Sequence, residues 1–289
     1  MDKRTTSYAV STVAFGKQSK EAVAKLATEH NWAIEFSSGF APDPDMVPFY
    51  KNLAFTRYPH NYFPAPADPF VMNLASGNET IRRRTIDHCL LGLELAQASG
   101  APCFSAHAGF CIDPDPEQLG RPLDVDQDFD PAMHWSLFRA SIDEVLLKAE
   151  ETGVDFLVEN NVLAPFNYTD KRPIALFCVG AEEMIRLVEE VDHPKFGLLL
   201  DTAHLKVSAH TLGFDMKEAA IQVAPYVKVV HHSDNDGLSD TNQPLPNDYW
   251  AIELGSIFAS RLHVLEVKNL TIDTIKQQMT LLQNTYGFE

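Results

Sequence analysis

Short apolar runs of four to eight residues recur along the chain, each bounded by polar or turn-forming residues and followed by a stretch with helical spacing. The runs sit in TSYAVSTVAF, WAIEFSS, RYPHNYF, CFSAHAG, DFLVEN, FGLLLDTAH, VKVVHHSD and RLHVLEVKN, which predicts eight β-strands. Between them SKEAVAKLATEH, ETIRRRTIDHCLLGLELAQASG, HWSLFRASIDEVLLKAEETG, GAEEMIRLVEEV and DMKEAAIQVAPY carry the 3.6-residue pattern of amphipathic helices. In the second of these, Ile86, Leu90, Leu93 and Ala96 line one face and Gly100 supplies a C-terminal stop. Strand and helix in alternation predict an α/β fold with a parallel sheet. Eight strands in one chain of this length predict a single (β/α)8 TIM barrel spanning residues 1–289, with the site at the C-terminal ends of the strands. A doubly wound open sheet is the alternative, without a GxGxxG or P-loop motif to favour it.

Two segments break the rhythm: residues 111–131, rich in Asp and Pro, after the fourth strand, and residues 233–250 after the seventh. Both belong on the strand-end face, as solvated loops or as lids over a pocket. Composition narrows the partners. With 23 Lys and Arg against 40 Asp and Glu, the formal charge of −17 argues against nucleic acid and anionic membrane and leaves small molecules. Four cysteines without CxxC spacing predict reduced thiols, and the lack of an apolar leader or span predicts a cytoplasmic protein. Nothing in the sequence excludes a homo-oligomer.

The candidate chemistry lies where the apolar runs stop. Glu159 ends DFLVE, Asp201 ends GLLLD, His231 ends VKVVH and Glu266 ends RLHVLE, at separations of 42, 30 and 35 residues, each near one βα unit. Successive strands would present one such group apiece at one height. Taken singly, a Glu there caps a helix or pairs with a Lys, and a lone His is more often a satisfied core group. Together, three carboxylates in a barrel mouth repel one another and lose hydration, and a shared cation removes that cost. The oxygen-rich set suits one divalent metal ion, Mn²⁺ first, with Mg²⁺, Co²⁺ and Zn²⁺ as alternatives. His231 is followed by His232, and alternation allows only one of the two to face the axis. The same alternation places Lys268 with Glu266 on the inward side; His60 and Asn61 fall where the third strand should end.

The stretches NLAS (73–76), SAHAG (105–109), VEN (158–160), LLLDTAHL (198–205), VVHHSDNDG (229–237) and LEVKN (265–269) resemble those of the xylose isomerase-like TIM barrels, over about residues 8–270. That family includes sugar and sugar-phosphate isomerases and epimerases, inosose dehydratases and apurinic-site endonucleases. In its epimerase branch the resemblance implies that Glu159, Asp201, His231 and Glu266 bind one metal, with Glu159 and Glu266 also the acid/base pair. It implies that His204, of the DxxH pattern, and His107, of the HxG motif, contact substrate. The implied reaction on a small carbohydrate removes a proton beside a carbonyl and forms an enediolate stabilised by the metal. Epimerisation, isomerisation and dehydration share that start. The endonuclease branch needs an Asp-x-His after the seventh strand where this chain has Asp240-Thr241-Asn242, and the Arg of several ketose 3-epimerases is replaced by Gly237. A barrel that binds metal or sugar without catalysis is the remaining alternative.

Overall fold

The computed structural model describes residues 7–37, 39–123 and 128–287; the expectations for Thr6, Ser38 and residues 124–127 lie outside them. The eight strands form where the apolar runs predict: β1 Ser7–Ser11, β2 Ala33–Phe36, β3 Arg57–Pro59, β4 Cys103–His107, β5 Asp155–Glu159, β6 Phe196–Asp201, β7 Val227–His232 and β8 Leu262–Leu265. All pair in parallel in the order β3-β2-β1-β8-β7-β6-β5-β4. At the seam between β3 and β4 the Asn61 N–H donates to the Ser105 carbonyl at 3.0 Å. The sheet is thus a nearly closed barrel, and the (β/α)8 expectation holds. Helices cover its outer face, so strands are buried on both sides and read as continuous apolar runs; Leu198, Leu199 and Leu200 are all buried.

The helices are α1 Lys20–His30, α2 Met46–Lys51, α3 Glu79–Ser99, α4 Pro131–Thr152, α5 Ala181–Val191, α6 Thr202–Leu212, α7 Met216–Val223, α8 Gly255–Phe258 and α9 Ile272–Tyr286. Local chemistry sets their ends. Asn78 Oδ1 accepts the Thr80 N–H at 2.9 Å to start α3, and Gly100, at φ +72°, stops it as expected. Close packing explains Gly92 inside α3, because a Cβ there would lie 2.3 Å from the Phe104 ring on β4. Among the described residues, no helix is long and apolar enough to cross a membrane.

Several boundaries differ from expectation. The run RYPHNYF keeps only Arg57–Pro59 as strand, FGLLLDTAH turns helical at Thr202, and TSYAVSTVAF becomes a 3₁₀ turn after Ser11. In each case side-chain or loop geometry at the barrel mouth ends the ladder before the apolar composition does. Helix α9 lies beyond the last predicted element and buries Ile275, Met279, Leu282 and Tyr286, a helical repeat that the sequence carries.

Candidate functional site

Strand register brings the polar ends together. Asp201 pairs with His231 across β6 and β7, and His107 pairs with Glu159 across β4 and β5. Glu266 follows β8 directly, its N–H donating to the His232 carbonyl at 2.9 Å. One ligand-type atom each from Glu159, Asp201, His231 and Glu266 lies within 4.8 Å of the others. The four strand-end residues read from the sequence thus converge in one place.

Asp201 has two tasks. It ends β6 and caps α6, Oδ1 accepting the His204 N–H at 2.7 Å, while Oδ2 is buried with no partner. Asn160 braces the same backbone: its Oδ1 accepts the Asp201 N–H at 2.8 Å and its Nδ2 donates to the Asp201 carbonyl at 3.1 Å. Glu159 is fully buried, and neither of its carboxylate oxygens has a hydrogen-bond partner. Around it stand His60 Nε2 at 3.3 Å, His107 Nδ1 at 3.5 Å and His204 Nδ1 at 3.5 Å. An ionised carboxylate left so is costly, and orphaned oxygens of this kind mark a place built to receive a positive charge.

His231 faces the axis and His232 faces away. His231 Nδ1 lies 2.8 Å from Glu266 Oε2, and its Nε2 lies 2.9 Å from Glu35 Oε2. Glu35, on β2, escapes the sequence reading because its strand AIEF ends in an aromatic residue and shares no motif with the other four. A carboxylate on the far nitrogen of a ligating histidine fixes tautomer and ring orientation, so Glu35 fits that supporting place. His232 instead contacts Tyr249 Oη at 3.1 Å and His263 Nδ1 at 2.9 Å behind the barrel wall.

Burial dominates the titration of the group. It pushes Glu159 well above the ordinary carboxylate range and Asp201 to about 6, against the pull of nearby histidines. Burial holds His60 and His107 near 3 and so neutral. It also opposes charge on His231 and His204, yet the carboxylates beside them outweigh it and raise both: Glu35 and Glu266 for the first, Asp201 and Asp240 for the second. Glu266, although desolvated, is held low by His231.

Among the described residues, a cavity of about 310 Å³ opens beside this cluster. His107, His204 and Lys268 line it, together with Ser239 and Asp240 from the second long segment and Leu119, Gly120 and Leu123 from the first. Both segments therefore stand at the pocket, though residues 124–127 of the first lie outside the described residues. Lys268 is exposed at the rim. His60 and Asn61 lie deeper and do not line the cavity. His60 Nδ1 is 2.7 Å from Ser105 Oγ, and Asn61 is 3% exposed. Two further groups overlap the first: Glu35, His60 and His231, and His107, Glu159 and His204, each again within 4.8 Å. Asp240, which the sequence reading treats only as part of a departed motif, carries an orphaned Oδ1, and its Oδ2 stands 3.5 Å from His204 Nε2.

The arrangement resembles known folds. A structure described as a D-tagatose 3-epimerase-like protein is similar with a TM-score of 0.70 and 17% identity, over 96% of this chain and 98% of that one. A D-psicose 3-epimerase from Clostridium cellulolyticum H10 is similar with a TM-score of 0.68 and 14% identity, over 97% and 99%. The IOLI protein with a binding zinc atom gives 0.65 and 15%, over 96% and 99%. No curated protein sequence matches the chain. The model of the xylose isomerase-like TIM barrel family matches residues 12–265, and the chain belongs to that family.

Proposed function

We propose that the protein is a divalent-metal-dependent isomerase or epimerase of a carbohydrate derivative. The observation that carries this reading is the trio of buried, partnerless oxygens, both of Glu159 and Oδ2 of Asp201, beside His231 and Glu266. Those four residues would hold the ion, and the donor set of three carboxylates and one imidazole suits Mn²⁺, Mg²⁺, Co²⁺ or Zn²⁺. When bound, such an ion polarises a carbonyl oxygen and acidifies the adjoining C–H.

The chain's own residues supply the rest. Glu159 and Glu266 rise from β5 and the end of β8, with two strands between them, so they approach a bound sugar from different sides. One removes the proton and the other returns it, which inverts a carbon or moves the carbonyl. Glu35 orients His231, and Asn160 fixes the backbone of Asp201. His107, His204 and Lys268 face the cavity and bind substrate oxygens. The epimerases among the similar structures agree with this reading, and the acidic charge favours a small neutral substrate over nucleic acid.

A second reading has one observation behind it. His107, Glu159 and His204 form a second group within 4.8 Å, Asp240 Oδ2 stands 3.5 Å from His204 Nε2, and His107 Nδ1 and Asp240 Oδ1 lack partners, so a further ion for hydrolytic chemistry would find ligands there. The test is solvent-deuterium incorporation into a panel of ketoses and keto-sugars by metal-loaded protein. Exchange at a carbon beside a carbonyl, lost in Glu266→Gln, supports the isomerase reading. No exchange together with phosphoester hydrolysis supports the second.

A further inference from the structure

The cavity has two chemically different ends. On the side of the carboxylate cluster His107, His204, Ser239, Asp240 and the exposed Lys268 offer polar atoms. The rest of the wall is mostly apolar, with Phe110 and Leu176 buried, Leu123 and Val162 half-buried, and Leu119 and Phe166 at the surface. Tyr62, Asn161 and Asn167 on this wall are already hydrogen-bonded, Tyr62 Oη accepting the Met72 N–H at 2.8 Å. Asn161 Nδ2 donates to the carbonyls of Ala108, Gly109 and Phe177 at 3.0–3.2 Å, and Asn167 Oδ1 accepts the Leu123 N–H at 2.8 Å while its Nδ2 reaches the Arg121 carbonyl. Leu119 and Phe166 reach the surface at this wall, 44% and 45% exposed. Leu119 comes from the loop after β4 and Phe166 from the loop after β5, so the wall is assembled by two separate segments.

A free ketose carries a hydroxyl on nearly every carbon. Bound with its carbonyl on the side of the carboxylate cluster, it would press its distal hydroxyls against side chains that can neither donate nor accept, and each buried unpaired hydroxyl weakens binding. An apolar substituent at that distal end would gain from the same wall. Resting on the isomerase reading above, we infer that the substrate is a sugar derivative bearing an aryl or alkyl substituent at the end remote from its carbonyl. Leu119 and Phe166 are the residues that select it.

The experiment has a binding arm and a reaction arm. Binding of D-mannitol and of its mono-O-benzyl ether at a terminal carbon is measured by calorimetry on metal-loaded protein, neither compound having a carbonyl to react. The ether should bind at least tenfold more tightly, and Phe166→Ser and Leu119→Ser, both at the exposed rim, should each shrink that ratio severalfold. Equal binding of the two compounds overturns the inference, as does an unchanged ratio in both variants. In the reaction arm, 6-O-benzyl-D-fructose should exchange its proton beside the carbonyl with a kcat/KM at least tenfold above that of D-fructose; an equal or lower value overturns the inference and leaves the isomerase reading in place. If neither ketose exchanges, the isomerase reading fails, and the binding arm alone still decides what the cavity selects.

Discussion

Asp201→Asn separates a metal ligand from a helix cap. Asn caps a helix about as well as Asp, so the bond from the His204 N–H survives the change. The variant loses only the charge on a carboxylate whose other oxygen has no partner. In chelator-treated protein Asp201 titrates near 6 rather than 3.8 because it is buried. A carboxyl raised in the folded state stabilises below its unfolded value, and that stability disappears as pH rises through about 6. At about 1.36 kcal/mol per pH unit, the wild type is about 3 kcal/mol worse off on this account at pH 8 than at pH 3.8. Asparagine removes the loss. Across 289 residues, with an unfolding entropy of about 2.1 cal/mol/K per residue, 3 kcal/mol corresponds to about 5 °C in Tm. Calorimetric scans at pH 8 should therefore show Asp201→Asn melting about 5 °C above wild type in chelator. Manganese at about a hundred times Kd should then raise the wild type by about 2.7 kcal/mol and leave the variant unmoved. A variant less stable than wild type in chelator, or equal responses to manganese, would refute the reasoning.

Other substitutions test the supports. Glu35→Gln weakens the carboxylate hold on His231 and should reduce divalent-metal affinity by about ten- to a hundredfold in competition titrations, with unchanged circular dichroism. Gly92→Ala sets a methyl 2.3 Å from the Phe104 ring; overpacking of about 1–3 kcal/mol outweighs the roughly 1 kcal/mol helix gain, so denaturant midpoints should fall. His263, buried and stacked on Tyr286 at 4.1 Å, is held neutral down to about 3. Its unfolded form takes up a proton below about 6.5, so stability is full above that pH and lost as pH falls toward 3, by about 2 kcal/mol at pH 5. His263→Phe should flatten that dependence in urea titrations between pH 7.5 and 5; an unaltered slope would show that another group governs it.

The barrel was legible because each parallel strand is covered on both faces and must be apolar throughout, so eight runs of the right length announce eight strands. Glu159, Asp201, His231 and Glu266 stood out for the converse reason, a charge where an apolar run should continue. Glu35 lacks that signal, since Phe36 follows it and its strand pairs with β1 and β3, away from the other four. Its place emerges only from the 2.9 Å contact with His231 Nε2. The choice between His231 and His232 also needed the fold, because period-two alternation says that the two differ but not which one faces inward. His60 and Asp240 could be named from motifs or strand ends, whereas their closeness to Glu159 and His204 depends on loop paths after β3 and β7 that residue patterns do not specify; strand register alone brings His107 to Glu159.

The central claim is that Glu159, Asp201, His231 and Glu266 grip a single divalent ion. Isothermal titration of chelator-stripped protein with Mn²⁺, in parallel with Glu159→Gln and Glu266→Gln, tests it most directly. One ion per chain in the wild type and a loss of at least tenfold in affinity in both variants is the predicted result. No binding, or affinity untouched by either substitution, would contradict it.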